Sequence, residues 1–284
     1  MGGVRRAARA KVNLWLNVVG RRADGYHLLD SLVAFADLAD IVEVGAADRL
    51  SLVCDGPAPG AAALAAEADN LVLKAARLLA EHVGVTAHAT LHLAKNIPVA
   101  AGLGGGSADA AAALRGLVDL WKVGLSETDL FDLAARLGAD VPMCLAGRPS
   151  FVSGVGERLE PAPALPRCAI LLVNPRVALP TAEVFAARRG DYSPERPRAR
   201  SWTDLGDFTA RLAERGNDLT AAAVSLRPVV GEVLSHLNGS GGARYVAMSG
   251  SGPTCFALYE TGLEARRAAE RLPAAWWRHA GSLS

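Results

Sequence analysis

The stretch Pro98-Val-Ala-Ala-Gly-Leu-Gly-Gly-Gly-Ser-Ala-Asp109, running on into Ala110-Ala-Ala-Ala-Leu-Arg115, decides how this chain is read. Ahead of it, Thr86-Ala-His-Ala-Thr-Leu-His-Leu-Ala-Lys95 alternates in the manner of a β-strand. Behind it, the alanine run has strong helix propensity. Strand, glycine loop and helix in that order build an anion site. Glycines let the backbone approach a ligand and take positive φ, and the N–H groups and dipole of the helix start face it. The expected anion is a phosphate.

Two familiar phosphate loops do not fit. A Walker loop ends in Gly-Lys-Ser/Thr, whereas this one ends in Gly106-Ser107 without the lysine. The dinucleotide pattern GxGxxG fits Gly102 and Gly104, but Ser107 stands at its third glycine. That pattern also wants a ribose-binding acid about 20 residues on, and no convincing one follows.

Composition narrows the class. The 284 residues suffice for a sizeable core and for two domains. Hydrophobic residues make up 51% and charged residues 21%, which excludes wholesale disorder. A net charge of +1 argues against a nucleic-acid binder, yet leaves room for a nucleotide substrate held by one local loop. Cys54, Cys144, Cys168 and Cys255 are scattered and form no CxxC pair, so neither a zinc site nor a disulfide framework is expected. No run approaches the roughly 18 apolar residues of a membrane span. Reduced thiols and the lack of a signal-like N-terminus point to the cytoplasm.

Along the chain, strands are expected over 8–19, 32–44 and 50–54, followed by a loop at Gly56-Pro-Ala-Pro-Gly60. Asp69 is the expected cap of a helix reaching about His82. Ser126-Glu-Thr-Asp129 is a capping box for a helix through Leu137. Ala169-Ile-Leu-Leu-Val173 reads as a buried strand. The run Arg188–Ser201, rich in arginine and proline, reads as an exposed loop or mobile linker. Helices follow over 218–226, 228–237 and 262–271, and strands over 244–248 and 254–259. The whole is α+β, without an internal repeat.

The glycine loop, in the form Pro-x-x-x-Gly-Leu-Gly, resembles the nucleotide-binding motif of the GHMP kinases. Further blocks carry the resemblance through residues 10–254: Ala10-Lys-Val-Asn-Leu-Trp-Leu-Asn17, Arg22-Ala-Asp-Gly-Tyr-His-Leu-Leu29, Gly138-Ala-Asp-Val-Pro-Met143, Gly154-Val-Gly-Glu157 and Met248-Ser-Gly-Ser-Gly-Pro-Thr254. Ala-Asp-Gly-Tyr-His is the most specific of these. It points to the branch that phosphorylates the 2-hydroxyl of a cytidyl diphosphate sugar alcohol in non-mevalonate isoprenoid synthesis.

The resemblance implies a two-domain fold. Residues 1–160 would form a nucleotide-binding domain with a left-handed βαβ unit, and 161–284 a ferredoxin-like α/β sandwich. It implies ATP as co-substrate, with Mg2+ entering alongside it. Pro98, Val99, Ala100, Ala101, Gly102, Leu103, Gly104, Gly105, Gly106, Ser107 and Ala108 would cradle the phosphates, with Asn70, Leu71 and Lys95 lining the adenine pocket. Ser107 has two readings, as helix cap and as hydroxyl ligand of a phosphate or Mg2+. Ala100 and Ala101 stand where some relatives have glycines, and ordinary φ values are expected there. No second acidic Mg2+ ligand is evident.

The same resemblance makes Asp140 the catalytic base, although its spacing alone also suits a cap. Lys11, which on pattern alone could be an exposed strand lysine, would sit beside that base and stabilise charge on the transferred group. Lys11 and Asn13 share one side of a strand, and Asn13 would bond the erythritol portion. Tyr26 and His27 would take the cytidine, with Phe185 as opposing aromatic and Thr181 near the substrate. On periodicity Phe185 could equally be core. Ser249–Thr254 could close over phosphates or merely join two strands. Asp109, expected in the first turn of a helix where a carboxylate suits the dipole, reads as structural. Two other readings share the glycine loop: another small-molecule kinase such as homoserine kinase, and a non-catalytic ligand sensor.

Overall fold

The computed structural model describes residues 3–58, 61, 64 and 69–284. Of the loop expected at Gly56–Gly60, residues 59 and 60 lie outside the described residues. The chain forms two compact units that alternate along the sequence. The first takes the described residues of Met1–Ala10, Leu38–Val99 and Gly104–Gly147; the second takes Lys11–Asp37, Ala100–Leu103 and Arg148–Ser284. Two long strands, β1 (Val4–Arg21) and β2 (His27–Gly45), pair with each other and contribute residues to both units.

In the first unit, β4 (Thr90–Ala94) is the pivot. It pairs antiparallel with β2 over Ile41–Gly45 and parallel with β3 (Ser51–Asp55). The parallel pair is joined through α1 (Leu71–Val83), which makes a βαβ unit. Both neighbours of β4 begin their register at Thr90, so the expected strand from Thr86 starts four residues late. α2 (Gly105–Trp121), α3 (Glu127–Leu137) and α4 (Val141–Ala146) complete the unit. Ala110, Ala111, Ala112 and Ala113 are all buried, and Leu114 and Leu117 are fully so. Small side chains on α2 let α1 pack closely on it, while the leucines supply burial at about 1.5–3 kcal/mol each.

Asn70, not Asp69, caps α1: its Oδ1 accepts the Val72 N–H at 2.9 Å. The helix starts one residue later than the cap reading required, and the exposed Asp69 carboxylate pairs instead with Lys74 at 2.8 Å. α3 starts as expected, with Ser126 Oγ accepting the Asp129 N–H at 3.1 Å.

In the second unit, β2 pairs over Leu29–Val33 with β5 (Ser150–Gly154), which pairs with β6 (Arg158–Pro161). A second sheet is wholly antiparallel: β7 (Ala169–Asn174), β8 (Tyr245–Met248), β9 (Cys255–Tyr259) and β10 (Trp277–Ser282), in the order β10-β7-β9-β8. With α5 (Thr181–Ala187), α6 (Leu205–Ala213), α7 (Thr220–Leu226) and α8 (Val229–Asn238) between β7 and β8, and α9 (Gly262–Glu270) between β9 and β10, this is the ferredoxin-like βαββαβ arrangement. Leu171 and Val173 of β7 join Val184, Val230 and Val233 in its core.

Arg188–Ser201 forms no helix or strand, but it is tethered rather than loose. Ser193 N–H donates to Val18 O, Arg196 donates to Glu214 O, and Arg198 pairs with Glu160. Charged side chains that read as a solvated face serve here as ties to neighbouring strands and helices. Among the described residues, no helix is long and apolar enough to cross a membrane.

Candidate active site

Three consecutive carbonyls of the glycine loop are tied down. Ala101 O accepts from Thr254 Oγ1 at 2.6 Å, Gly102 O from Ser249 Oγ at 3.3 Å, and Leu103 O from the Lys11 N–H at 2.9 Å. In a trans peptide the C=O and the following N–H point in opposite directions. Anchoring these oxygens therefore turns the N–H groups of Gly102, Leu103 and Gly104 the other way. α2 begins immediately after, and its first N–H groups have no intrahelical acceptor. The cap residue is Gly104, which has no side chain to satisfy them. Consecutive N–H groups of this kind, like those of a helix N-terminus, are the donors that can hold an anion.

Left-handed residues alternate through the loop: Ala100 at φ 54°, Gly102 at 75° and Gly104 at 64°. A Cβ added at Gly102 would lie 2.4 Å from the Gly252 carbonyl oxygen, so nothing larger than glycine fits. Ala100 departs from the ordinary φ expected of it. An alanine there carries roughly 1–2 kcal/mol of strain, set by the anchored carbonyls that follow. Ser107 also departs from its cap reading: it is the third residue of α2, since Gly104 occupies the cap position. Its hydroxyl is the side-chain oxygen that the loop itself supplies.

Leu71 lies beside the loop's end, as a Cβ added at Gly106 would lie 3.8 Å from Leu71 Cδ1, while the Asn70 side chain bonds Leu64 O and the Val72 N–H. Lys95 has a different setting. Its ammonium is buried between Asp109, at 2.7 Å, and Asp40, in short contact. Burial opposes the charge on Lys95, but the two carboxylates more than offset it and hold the amine above its ordinary range. Burial likewise pushes the Asp109 carboxyl up to about 8 against the pull of Lys95. Asp109 thus does more than suit a helix dipole.

Lys11 and Asn13 do lie on one side of β1, and both are buried. Lys11 Nζ donates to Asn13 Oδ1 at 2.8 Å, and Asn13 Nδ2 donates to Ser31 Oγ at 2.8 Å. The Asn13 N–H reaches Ser249 Oγ at 3.1 Å. Ser249 therefore holds both β1 and the glycine loop, a role for the Ser249–Thr254 turn that its sequence left open. Asp140 sits at the cap position of α4, but its carboxylate makes no capping hydrogen bond. Its position there is thus not explained by helix capping.

His27 stacks on Phe185, with ring centroids 5.1 Å apart and planes 24° apart. Both line a cavity of about 410 Å³ with Arg21, Arg188, Arg189 and Tyr192. Burial, with Arg21 and Arg188 nearby, lowers the His27 pKa from its ordinary value. Tyr26 is 65% exposed, so the ring facing Phe185 is that of His27. Thr181 Oγ1 bonds Ser251 Oγ at 2.8 Å. The sequence reading missed Asp40, although a signal existed: it alternates in phase with the buried Leu38, Val42 and Val44.

Comparison with known proteins matches this geometry to a family. The model for the GHMP kinases N terminal domain matches residues 70–148, and that for the GHMP kinases C terminal domain matches 197–278. A protein of Paramagnetospirillum magneticum named 4-diphosphocytidyl-2-C-methyl-D-erythritol kinase is 52% identical over 95% of either chain. One of the same name from Rhodospirillum rubrum is 48% identical over 98% of this chain and 91% of its own. The chain belongs to the GHMP kinases, in the 4-diphosphocytidyl-2-C-methyl-D-erythritol kinase family. A crystal structure titled as a 4-(cytidine 5'-diphospho)-2C-methyl-D-erythritol kinase superposes with a TM-score of 0.81 at 39% identity, covering 99% of both chains. A homoserine kinase of Cytophaga hutchinsonii, at TM-score 0.72 and 17% identity, shows the shared fold alone. As a GHMP kinase, the chain is a small-molecule kinase with ATP as its co-substrate.

Proposed function

We propose that this chain transfers the γ-phosphoryl group of ATP to the 2-hydroxyl of 4-diphosphocytidyl-2-C-methyl-D-erythritol, a step toward isoprenoid precursors by the non-mevalonate route. The observation that carries this reading is the anchored glycine loop, whose amides at 102–104 run into the start of α2. Near-full-length identity to curated kinases of that name supports the acceptor.

The triphosphate would lie along the loop from Pro98 to Ala108, on the main-chain N–H groups that follow the proline, with Asn70, Leu71 and Lys95 at the adenine end. Asp140 takes the proton of the 2-hydroxyl as its oxygen bonds to the γ-phosphorus. The bond from that phosphorus to the β–γ bridging oxygen breaks, and ADP leaves. Lys11 stabilises the negative charge on the transferred group, while Asn13 bonds the erythritol portion. Tyr26, His27 and Phe185 take the cytosine, and Thr181 lies toward the same substrate. Along the sequence, residues 1–160 are the nucleotide-binding half and 161–284 the C-terminal half. Four reduced cysteines suit a cytoplasmic setting.

Mg2+ fits this reading as a partner of ATP. Among the described residues no three His, Cys, Asp or Glu side chains gather as a ligand set, and Asp40 and Asp109 are engaged by Lys95. Ser107 is the hydroxyl available to it. When bound, the ion screens the triphosphate charge.

The test is turnover of the purified protein with MgATP and a panel of alcohols, followed by product mass. Phosphorylation of homoserine but not of the cytidyl compound would reject the acceptor. Replacing Asp140 with Asn is expected to lower kcat by about 10²–10⁴-fold with ATP affinity unchanged. An unaltered kcat would remove Asp140 from its role.

A further inference from the structure

Phosphoryl transfer as described gives no task to Asp40 or Asp109, the two carboxylates that hold Lys95. Asp40, Lys95 and Asp109 come from three separate pieces of the first unit: β2, the residue following β4, and α2. All three are at most 3% exposed, with Asp40 at 0%. Asp40 divides its oxygens. Oδ2 takes the Lys95 ammonium, while Oδ1 accepts the consecutive N–H groups of Asn96, at 2.5 Å, and Ile97, at 2.8 Å. Those two residues lead directly into Pro98. The Asn96 amide adds a bond to Ala39 O at 2.8 Å.

On the far side of the lysine, Asp109 ties the same centre to α2. The start of that helix rests on the cluster. A Cβ added at Gly105 would lie 3.3 Å from Lys95 Nζ, 3.4 Å from Ile97 Cγ2 and 3.6 Å from Asp40 Oδ2. Entry to the glycine loop and exit from it are thus held from one buried point.

Stability alone is a poor reason for such a cluster, because a buried ion group seldom outperforms well-packed apolar side chains. Asp109 Oδ1, buried and without a hydrogen-bond partner among the described residues, adds a further desolvation cost. What charged groups supply, and apolar ones do not, is directional geometry. An unneutralised carboxylate in the second turn of α2 would also oppose an anion at the helix start.

We propose that Asp40, Lys95 and Asp109 form a positioning clamp for the nucleotide loop, setting its entry angle and the seat of the α2 N-terminus, with Lys95 acting through the carboxylates. The triphosphate as the loop's ligand rests on the proposed function; the clamp is tested on ATP binding itself.

Three variants separate this from a direct lysine–nucleotide contact. Asp40→Asn keeps the lysine but loosens its tie to Asn96 and Ile97. Lys95→Met removes the cation. Gly105→Ala leaves every charge in place and presses on the cluster. For all three, calorimetric titration with MgATP should show affinity lowered by about tenfold or more, with KM for the cytidyl acceptor within about twofold. Retained ATP affinity in Asp40→Asn alongside a loss in Lys95→Met would overturn the clamp in favour of direct contact. Equal weakening of both substrates would reduce the cluster to a structural support. Should the two charge variants fail to fold, Gly105→Ala decides: wild-type ATP affinity there would end the proposal. Turnover of a different alcohol by the wild type would overturn the acceptor assigned above, while an ATP-specific loss in the variants would still support the clamp.

Discussion

Two glycine-rich turns, Pro98–Ala108 and Ser249–Thr254, have similar composition and opposite hydrogen-bonding habits. In the second, which joins β8 to β9, amides are spent internally. Ser249 N–H donates to Thr254 O and Gly252 N–H to Ser249 O, both at 2.9 Å, while Asn217 Nδ2 ties the Met248 and Gly250 carbonyls. In the first, the carbonyls of residues 101–103 are spent, and the N–H groups of residues 102–104 donate to no backbone acceptor among the described residues. An anion site needs the leftover amides, so glycine content alone does not make one. The second turn serves the first: its Ser249 and Thr254 hydroxyls are the donors that hold the loop's carbonyls.

The sharpest way to break this contrast is Gly102→Ala. At φ 75°, with an added Cβ 2.4 Å from Gly252 O, it forces the two turns apart. A loss of about 3 kcal/mol or more in thermal unfolding is expected, together with loss of ATP binding. A stable, ATP-binding variant would show that the close approach is dispensable. Thr254→Val comes next. It preserves shape and removes the hydroxyl that donates to Ala101 O and accepts from Asn174. A cost of about 1–3 kcal/mol follows from the unsatisfied partners, and KM for ATP should rise severalfold. An unchanged KM would mean that the carbonyl anchors do not orient the amides. Gly106→Ala sharpens the comparison from the quiet side. Its nearest neighbour would be Leu71 Cδ1 at 3.8 Å, so stability should stay within about 0.5 kcal/mol. A large effect would mean that Gly106 needs more room than the packing shows.

How much of this could be read from the chain varied with the range of the interactions. Local signals read well. Ser126 caps α3, Gly138 ends it, and the unbroken apolar run 169–173 reports a buried strand, because each depends on residues a few positions apart. β10 was not legible: Trp277-Arg-His-Ala-Gly-Ser282 lacks an apolar alternation and is a strand only because β7 pairs with it from Trp277↔Asn174 to Ser282↔Ala169. α4, which begins at Val141 with Pro142 behind it, is too short for periodicity to mark. The cap of α1 was misplaced by one residue, as Asp69 and Asn70 are both good caps in isolation.

The amino-acid order was enough to name the family and to offer residues for its chemistry, because the glycine spacing, Ala-Asp-Gly-Tyr-His and Gly-Ala-Asp-Val-Pro are contiguous patterns. Folding settled what no contiguous pattern carries. It chose which peptide groups of the glycine loop are consumed, gave Phe185 the ring of His27 as its neighbour, and brought Lys95 to an aspartate 55 positions away. Peptide direction and buried charge pairing are decided by partners distant in sequence, and only a packed chain brings those partners together.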